Sequence, residues 1–162
     1  MQAIREAGGF GVQIFKPREQ KVLLRLIQEA EKAGAVAVGV DVDGAGSVPM
    51  VMKGQPVFRK SVSELRELVQ STRLPFIIKG ITHEEDAALA LQTGCKVVSI
   101  SNHGGRVLDS MLGIAEVLPR LVPILKGKVT ITADGGVRTG FDVIKMLALG
   151  ADFVMVGREM IR

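Results

Sequence analysis

The chain has 162 residues, of which 47% are hydrophobic and 4% aromatic, with a formal charge of +4, no Trp and no Tyr. That length and apolar content suit one domain with an aliphatic core, and dispersed basic residues without stacking aromatics argue against nucleic acid as a partner. The single Cys95 excludes an intramolecular disulfide; the amino terminus lacks a signal-peptide run and no apolar stretch approaches the ~18 residues that span a bilayer, so the expectation is a cytoplasmic chain in a reducing compartment.

In chain order, the first strand is expected at 10–15, followed by a helix at 18–33 with Leu23, Ile27 and Ala30 at helical spacing. A strand at 36–43 comes next. A helix at 61–71 opens on Ser61 with Glu64 three residues on, the pattern of a capping box, and carries Val62, Leu65 and Val69 on one face. The strand at 75–80 leads to a helix at 83–93, with Thr82 and Glu85 as the capping pair and His83 facing solvent in its first turn. After the strand at 96–101, a helix at 111–122 is interrupted by Pro119, with Pro123 near its end. A strand at 129–134, a helix at 140–149 capped by Thr139 with Asp142, and a strand at 152–157 complete the series. Gly34, Gly94 and Gly150 each stand just before a strand, an αβ joint used three times, and Cys95 beside the second of them is expected to pack rather than react.

Each strand is a short apolar run with little polar alternation, as in parallel strands covered on both faces. Six strands alternating with five helices indicate a parallel α/β domain over 1–162. The local pattern fits either an open doubly wound sheet or part of a (β/α)8 TIM barrel.

Three successive strands finish in glycines plus a cation. They are Ser101-Asn102-His103-Gly104-Gly105-Arg106, then Asp134-Gly135-Gly136-Val137-Arg138, then Gly157-Arg158. The first places a proton acceptor beside an anion clamp. The set suits an extended phosphorylated ligand lying across the carboxyl ends of the strands. The paired Asp41 and Asp43 could suggest a metal site, but no other nearby acid or histidine in the sequence completes a ligand set, so no metal is expected.

These runs resemble the carboxyl part of the FMN-dependent α-hydroxy acid oxidases and dehydrogenases, the family of glycolate and lactate oxidases. The resemblance extends back through Ile78-Lys79-Gly80 and Asp41-Val42-Asp43 to Gln13-Ile14-Phe15. It implies an incomplete barrel containing strands three to eight, with FMN as cofactor and a small 2-hydroxy acid as substrate. By resemblance His103 is the base, Asp43 orients it, and Arg106 binds the substrate carboxylate. Lys79 lies near the flavin N1 and O2 and stabilises the reduced ring. Asp134, Gly135, Gly136, Val137, Arg138, Gly157 and Arg158 hold the ribityl chain and phosphate, Ser101 adds a ribityl or ring contact, and Gln13 meets the pyrimidine edge. Asp41 stands where the family commonly has Thr on the flavin ring; two carboxylates there conflict with an anionic flavin, so one of them is expected to point away into a loop. Phe15 replaces an active-site tyrosine, and the loop Gly44-Ala45-Gly46-Ser47 lacks a second carboxylate-binding arginine.

Other readings of the same residues are a scaffold that binds FMN or phosphate weakly and turns over nothing, and a flavin-dependent isomerase on the same fold. An incomplete barrel leaves its first and last strands as long apolar edges, which implies a homo-oligomer joined through them.

Overall fold

The computed structural model describes residues 1–161. Six strands form one sheet: β1 (Val12–Phe15), β2 (Ala37–Asp41), β3 (Phe76–Ile81), β4 (Val97–Ser101), β5 (Thr130–Asp134) and β6 (Phe153–Val154). Every neighbouring pair is parallel, and the spatial order equals the chain order. A doubly wound sheet reverses its strand order at a switch point, whereas a barrel adds each strand beside the last. The unreversed order therefore makes this an incomplete (β/α)8 barrel.

Five helices join the strands: α2 (Gln20–Lys32), α4 (Val62–Gln70), α5 (Glu84–Gln92), α6 (Ile114–Leu125) and α7 (Gly140–Ala148). Two short helices not foreseen from the sequence, α1 (Gln2–Glu6) and α3 (Val48–Met52), and two 3-10 turns, Val42–Gly46 and Arg158–Ile161, fill the loops. No helix among the described residues is long and apolar enough to cross a membrane.

Directly opposed residues of parallel strands share a face, so the register sorts the side chains. Val38, Val40, Phe76, Ile78, Val98, Ile100, Ile131 and Ala133 point to the helices and form one buried cluster with Leu23, Ile27, Leu68, Leu118 and Leu121. The other face, the barrel interior, carries Asp41, Lys79 and Ser99 in one row, with Ser101 opposite Asp134 one step further on.

Ser61 and Glu64 form the expected capping box: the Ser61 hydroxyl accepts from the Glu64 N–H at 3.2 Å, and the Glu64 carboxylate accepts from the Ser61 N–H at 2.8 Å. Thr139 and Asp142 form another, at 3.3 and 2.9 Å. The Thr82 and Glu85 pair does not. His83 is the N-cap of α5 without a side-chain cap bond, and its ring takes the Thr82 hydroxyl instead, at 3.1 Å. Three acids in the first turn favour that helix end electrostatically.

α6 begins three residues later than expected, after Gly113, whose N–H donates to Glu116 at 2.9 Å, and it runs through both prolines to Leu125. A proline inside a helix costs about 3 kcal/mol. Ile114, Val117, Leu118, Leu121 and Leu125 are all buried, each contributing about 1.5–3 kcal/mol, and together they outweigh the broken ladder.

The last strand is also a correction. Only two residues, Phe153–Val154, pair with β5, extended by the Met155 N–H to the Ala133 carbonyl at 2.9 Å. Before the strand, the Asp152 N–H donates to the Ile131 carbonyl at 2.8 Å while its carboxylate accepts from the Ile131 N–H, and the chain after Met155 coils into the 3-10 turn at Arg158. The outer edge is therefore short in backbone, though apolar in side chains. Cys95 is buried with its thiol pushed up by burial, as suits a packing residue.

Candidate active site

The carboxyl ends of the strands meet around His103. Its backbone is left-handed, with φ 58°, and Gly104 and Gly105 follow at 68° and 75°. A histidine there stores strain that the surroundings must hold. The Ser101 hydroxyl accepts from the His103 N–H at 3.1 Å, and the Asn102 side-chain carbonyl accepts from Gly104 and Gly105 at 3.1 and 3.2 Å. Gly104 is needed for a second reason: a Cβ there would sit 2.8 Å from the Arg158 guanidinium, which lies over the turn.

The His103 ring is clamped from both sides. Nδ1 lies 3.3 Å from Asp41 Oδ2 and 3.3 Å from Asp43 Oδ1, while Nε2 lies 3.1 Å from Lys16 Nζ. Lys16 Nζ also donates to Asp41 Oδ2 at 2.5 Å. A lysine ammonium has only protons to give, so Nε2 accepts and Nδ1 carries the ring proton toward the carboxylates.

Both carboxyl groups thus face the histidine, which corrects the expectation that one points into a loop. Their like charges are relieved in two ways. Burial raises Asp41, yet hydrogen bonds to Asp43 and Lys16, with the Lys16 and His103 charges, hold it below its usual range. Burial, then the hydrogen bond and charge of Asp41, push Asp43 up to about 8, so it keeps a proton at neutral pH. The buried oxygens Asp41 Oδ1 and Asp43 Oδ2 have no other partner among the described residues, and a proton retained by the pair can serve them. Asp43 approaches this closely because residue 80 is glycine at φ 98°; a Cβ there would lie 2.6 Å from the Asp43 carboxyl carbon.

The histidine itself is held below its usual value, first by burial and then by the Lys16, Lys79 and Arg106 charges, with Asp41 opposing. The ring is therefore neutral at pH 7. Asp41, Asp43 and His103 also bring one ligand atom each within 4.8 Å of one another, so the histidine supplies the third group that the sequence seemed to lack. The Lys16 ammonium already supplies the cation beside Asp41.

Deeper in the barrel, Lys79 Nζ donates to Ser101 Oγ at 2.5 Å and pairs with Asp134 at 2.9 Å, while the Ser101 hydroxyl donates to Asp134 at 2.7 Å. Next to this chain opens a cavity of about 290 Å³. Lys79, His103, Arg106, Arg138 and Arg158 line it, with Asp134, Gly135, Gly136, Val137 and Gly157. Arg106, Arg138 and Arg158 are exposed and make no ion pair among the described residues; Arg106 does not turn to Asp109. Three unpaired guanidinium groups around a glycine-lined hollow fit the phosphate and ribityl end of a nucleotide. The acids of the lining are Asp134, which pairs with Lys79, and Glu159.

Two expected residues are not brought to the site. Gln13 is opposite Val38 and Phe15 opposite Val40, which places both on the helix side, where Phe15 packs against the core. The interior face of β1 is carried by Ile14, opposite Gly39, and by Lys16 beyond the strand end. Sequence reasoning missed Lys16. Period-two alternation puts Lys16 on the face of Ile14 and opposite to that of Phe15, but only the register with β2 shows that this face is the interior. It also gave no role to Asn102, although Asn before glycines is a common turn-holding arrangement.

A family model described as FMN-dependent dehydrogenase matches residues 45–162. The chain is 46% identical over 109 residues to an L-lactate oxidase of Lysinibacillus sphaericus (strain C3-41), covering 66% of this chain and 28% of that protein. It is 47% identical over 102 residues to an L-lactate dehydrogenase of Yersinia pestis (strain Pestoides F), covering 63% and 26%. A structure of a mandelate oxidase variant with benzaldehyde superposes with a TM-score of 0.83 at 33% identity, over 98% of this chain and 52% of that one. A mandelate oxidase with (S)-2-phenylpropionate superposes equally well, at 32% identity over the same shares. The chain thus spans about half the length of the structures it resembles. With the match extending from the loop after β2 to the last residue, the chain belongs to the FMN-dependent α-hydroxy acid oxidase and dehydrogenase family.

Proposed function

We propose that this chain carries the catalytic and phosphate-binding part of an enzyme that oxidises a small 2-hydroxy acid to the 2-oxo acid. The observation that carries the reading is His103, a neutral base with Nδ1 held by carboxyl groups, lining the same cavity as Arg106, Arg138 and Arg158. Arg138 and Arg158 hold the FMN phosphate, with the N–H groups of the turn at Gly135, Gly136 and Val137. Lys79, Ser101 and Asp134 lie between that end and His103. Arg106 binds the substrate carboxylate through its planar fork. His103 Nε2 accepts the hydroxyl proton, and Asp41 stabilises the resulting imidazolium while Asp43 fixes the ring. Bound FMN supplies the acceptor for the two electrons that leave the substrate carbon as a hydride equivalent.

Residues 1–162 act as one domain in a cytoplasmic setting. Self-association through the barrel edges is part of the same reading, since Phe10 and Val12 on one side and Phe141, Ile144 and Phe153 on the other are exposed. Light scattering over a dilution series checks it; a monomer at every concentration removes it.

A second reading, an FMN- or phosphate-binding scaffold without turnover, draws on one observation: Lys16 occupies Nε2, the nitrogen that must accept the proton. The absorbance spectrum separates the two. Bound oxidised flavin that bleaches on adding a 2-hydroxy acid supports the oxidase, and bound flavin that stays oxidised supports the scaffold.

A further inference from the structure

We infer that Lys16 is a second substrate-recognising cation, which caps the base in the ligand-free site and takes a carboxylate oxygen of the substrate when the hydroxyl displaces it from Nε2. This rests on the oxidase reading above and goes beyond it, because that reading leaves Lys16 without a role.

Three observations support it. The first is reach: Lys16 Nζ lies 3.1 Å from the one ring nitrogen of His103 free to accept a proton. In a 2-hydroxy acid the hydroxyl and carboxylate are on adjacent carbons. A hydroxyl docked on Nε2 therefore brings a carboxylate oxygen within reach of any cation that touches Nε2. The second is donor capacity. Lys16 has three N–H groups; Asp41 and His103 accept two, and no acceptor among the described residues takes the third. The ammonium can keep Asp41, release Nε2 and donate to the carboxylate, so that as many of its N–H groups are paired after the exchange as before it.

The third is the composition of the loop after β2. The loop over Gly44-Ala45-Gly46-Ser47 contains no Arg or Lys, and Lys16 is the cation in contact with the His103 ring, with the Arg106 charge also acting on it. Two cations close to the base select for a carboxylate next to the reacting hydroxyl, and disfavour a simple alcohol. Lys16 is mostly shielded but keeps 30% of its side chain exposed.

The same geometry makes Lys16 a positioning residue. The groups facing the imidazole are Lys16 at the end of β1, Asp41 at the end of β2, Asp43 in the following 3-10 turn, Lys79 on β3 and Arg106 in the histidine's own loop. Removing the Lys16 charge leaves Asp41 unopposed beside the ring, so protonation of His103 becomes easier.

The test uses the whole FMN-loaded protein with Lys16→Met and Lys16→Arg, and reads the His103 ring resonances by NMR. Propionate is the non-oxidisable carboxylate probe. Lys16→Met should raise the His103 titration midpoint and weaken propionate binding about ten- to hundredfold, the loss of one charge-assisted contact. Lys16→Arg should keep binding within about threefold of wild type, because the cation remains. An unchanged propionate affinity in Lys16→Met overturns the recognition role even if the midpoint moves. An unchanged midpoint overturns the contact with the base. Reduction of the flavin by L-lactate is measured on wild type in parallel: its absence counts against the oxidase reading, while the NMR titrations still decide Lys16.

Discussion

The two sides of the open barrel are built on opposite plans. On the β5–β6 side, Arg138 and Arg158 stand exposed over glycine turns, and their guanidinium groups form no ion pair among the described residues. On the β1–β2 side, Lys16, Asp41, Asp43 and His103 are partly or fully buried and satisfy one another. The first arrangement keeps charge in reserve for a ligand that brings its own negative charge. The second uses its charges internally to hold one imidazole in one tautomer. Unpaired exposed cations lose little while waiting in water, whereas a buried ring with an unpaired neighbour would be costly. On the proposed reading, the difference lets phosphate contacts rest on local turns while the base draws partners from three other segments.

The largest expected effect breaks the buried side. His103→Gln should lower flavin reduction by a 2-hydroxy acid about 10²–10⁴-fold while FMN stays bound, as loss of a positioned base does. Stopped-flow traces near wild-type speed would remove the histidine from the chemistry. Next comes the exposed side. Arg158→Ala should weaken FMN by about 1.5–3 kcal/mol with the fold intact, and an unaltered affinity in fluorescence titration would show that the reserve charge serves something else.

A third change probes the joint between backbone and buried cluster. Gly80→Ala places a Cβ 2.6 Å from the Asp43 carboxyl carbon at φ 98°, and should destabilise the protein by about 1–3 kcal/mol in chemical denaturation. A wild-type midpoint would mean that Asp43 moves aside freely. The smallest effect concerns protons. Asp43 rises from an ordinary 3.8 to about 8 on folding, so the native state binds more protons than the unfolded one between those values. Its contribution to stability is therefore present below about pH 4 and lost progressively as pH rises toward 8. Asp43→Asn should flatten that decline, seen as a smaller drop in Tm between pH 5 and about 8 than in wild type. Parallel Tm curves for the two proteins would contradict a retained proton.

The legibility of the molecule follows the same division. His103, Arg106, Asp134, Arg138 and Arg158 could be placed from sequence because each belongs to a short run whose glycines and strand end determine where it points, and the cavity gathers all five. On the other side the family model begins only at residue 45, and identity alone placed Gln13 and Phe15 wrongly relative to the sheet. One step of strand register moves a side chain from the barrel interior to the helix layer, and nothing within a four-residue strand specifies that step.

By itself, the sequence determined the alternation of strands and helices, the αβ joints at Gly34, Gly94 and Gly150, two capping boxes and the turns that carry the cations. These depend on neighbours a few residues away, through backbone conformation and local hydrogen bonds. Only the tertiary structure decided between a barrel and a doubly wound sheet, carried α6 through Pro119 and Pro123, shortened β6 to two residues, and turned Lys16 rather than Phe15 toward His103. Each of those outcomes depends on which distant segments pack side by side. Lys16 and His103 are 87 residues apart, and it is the sheet between them that makes them neighbours.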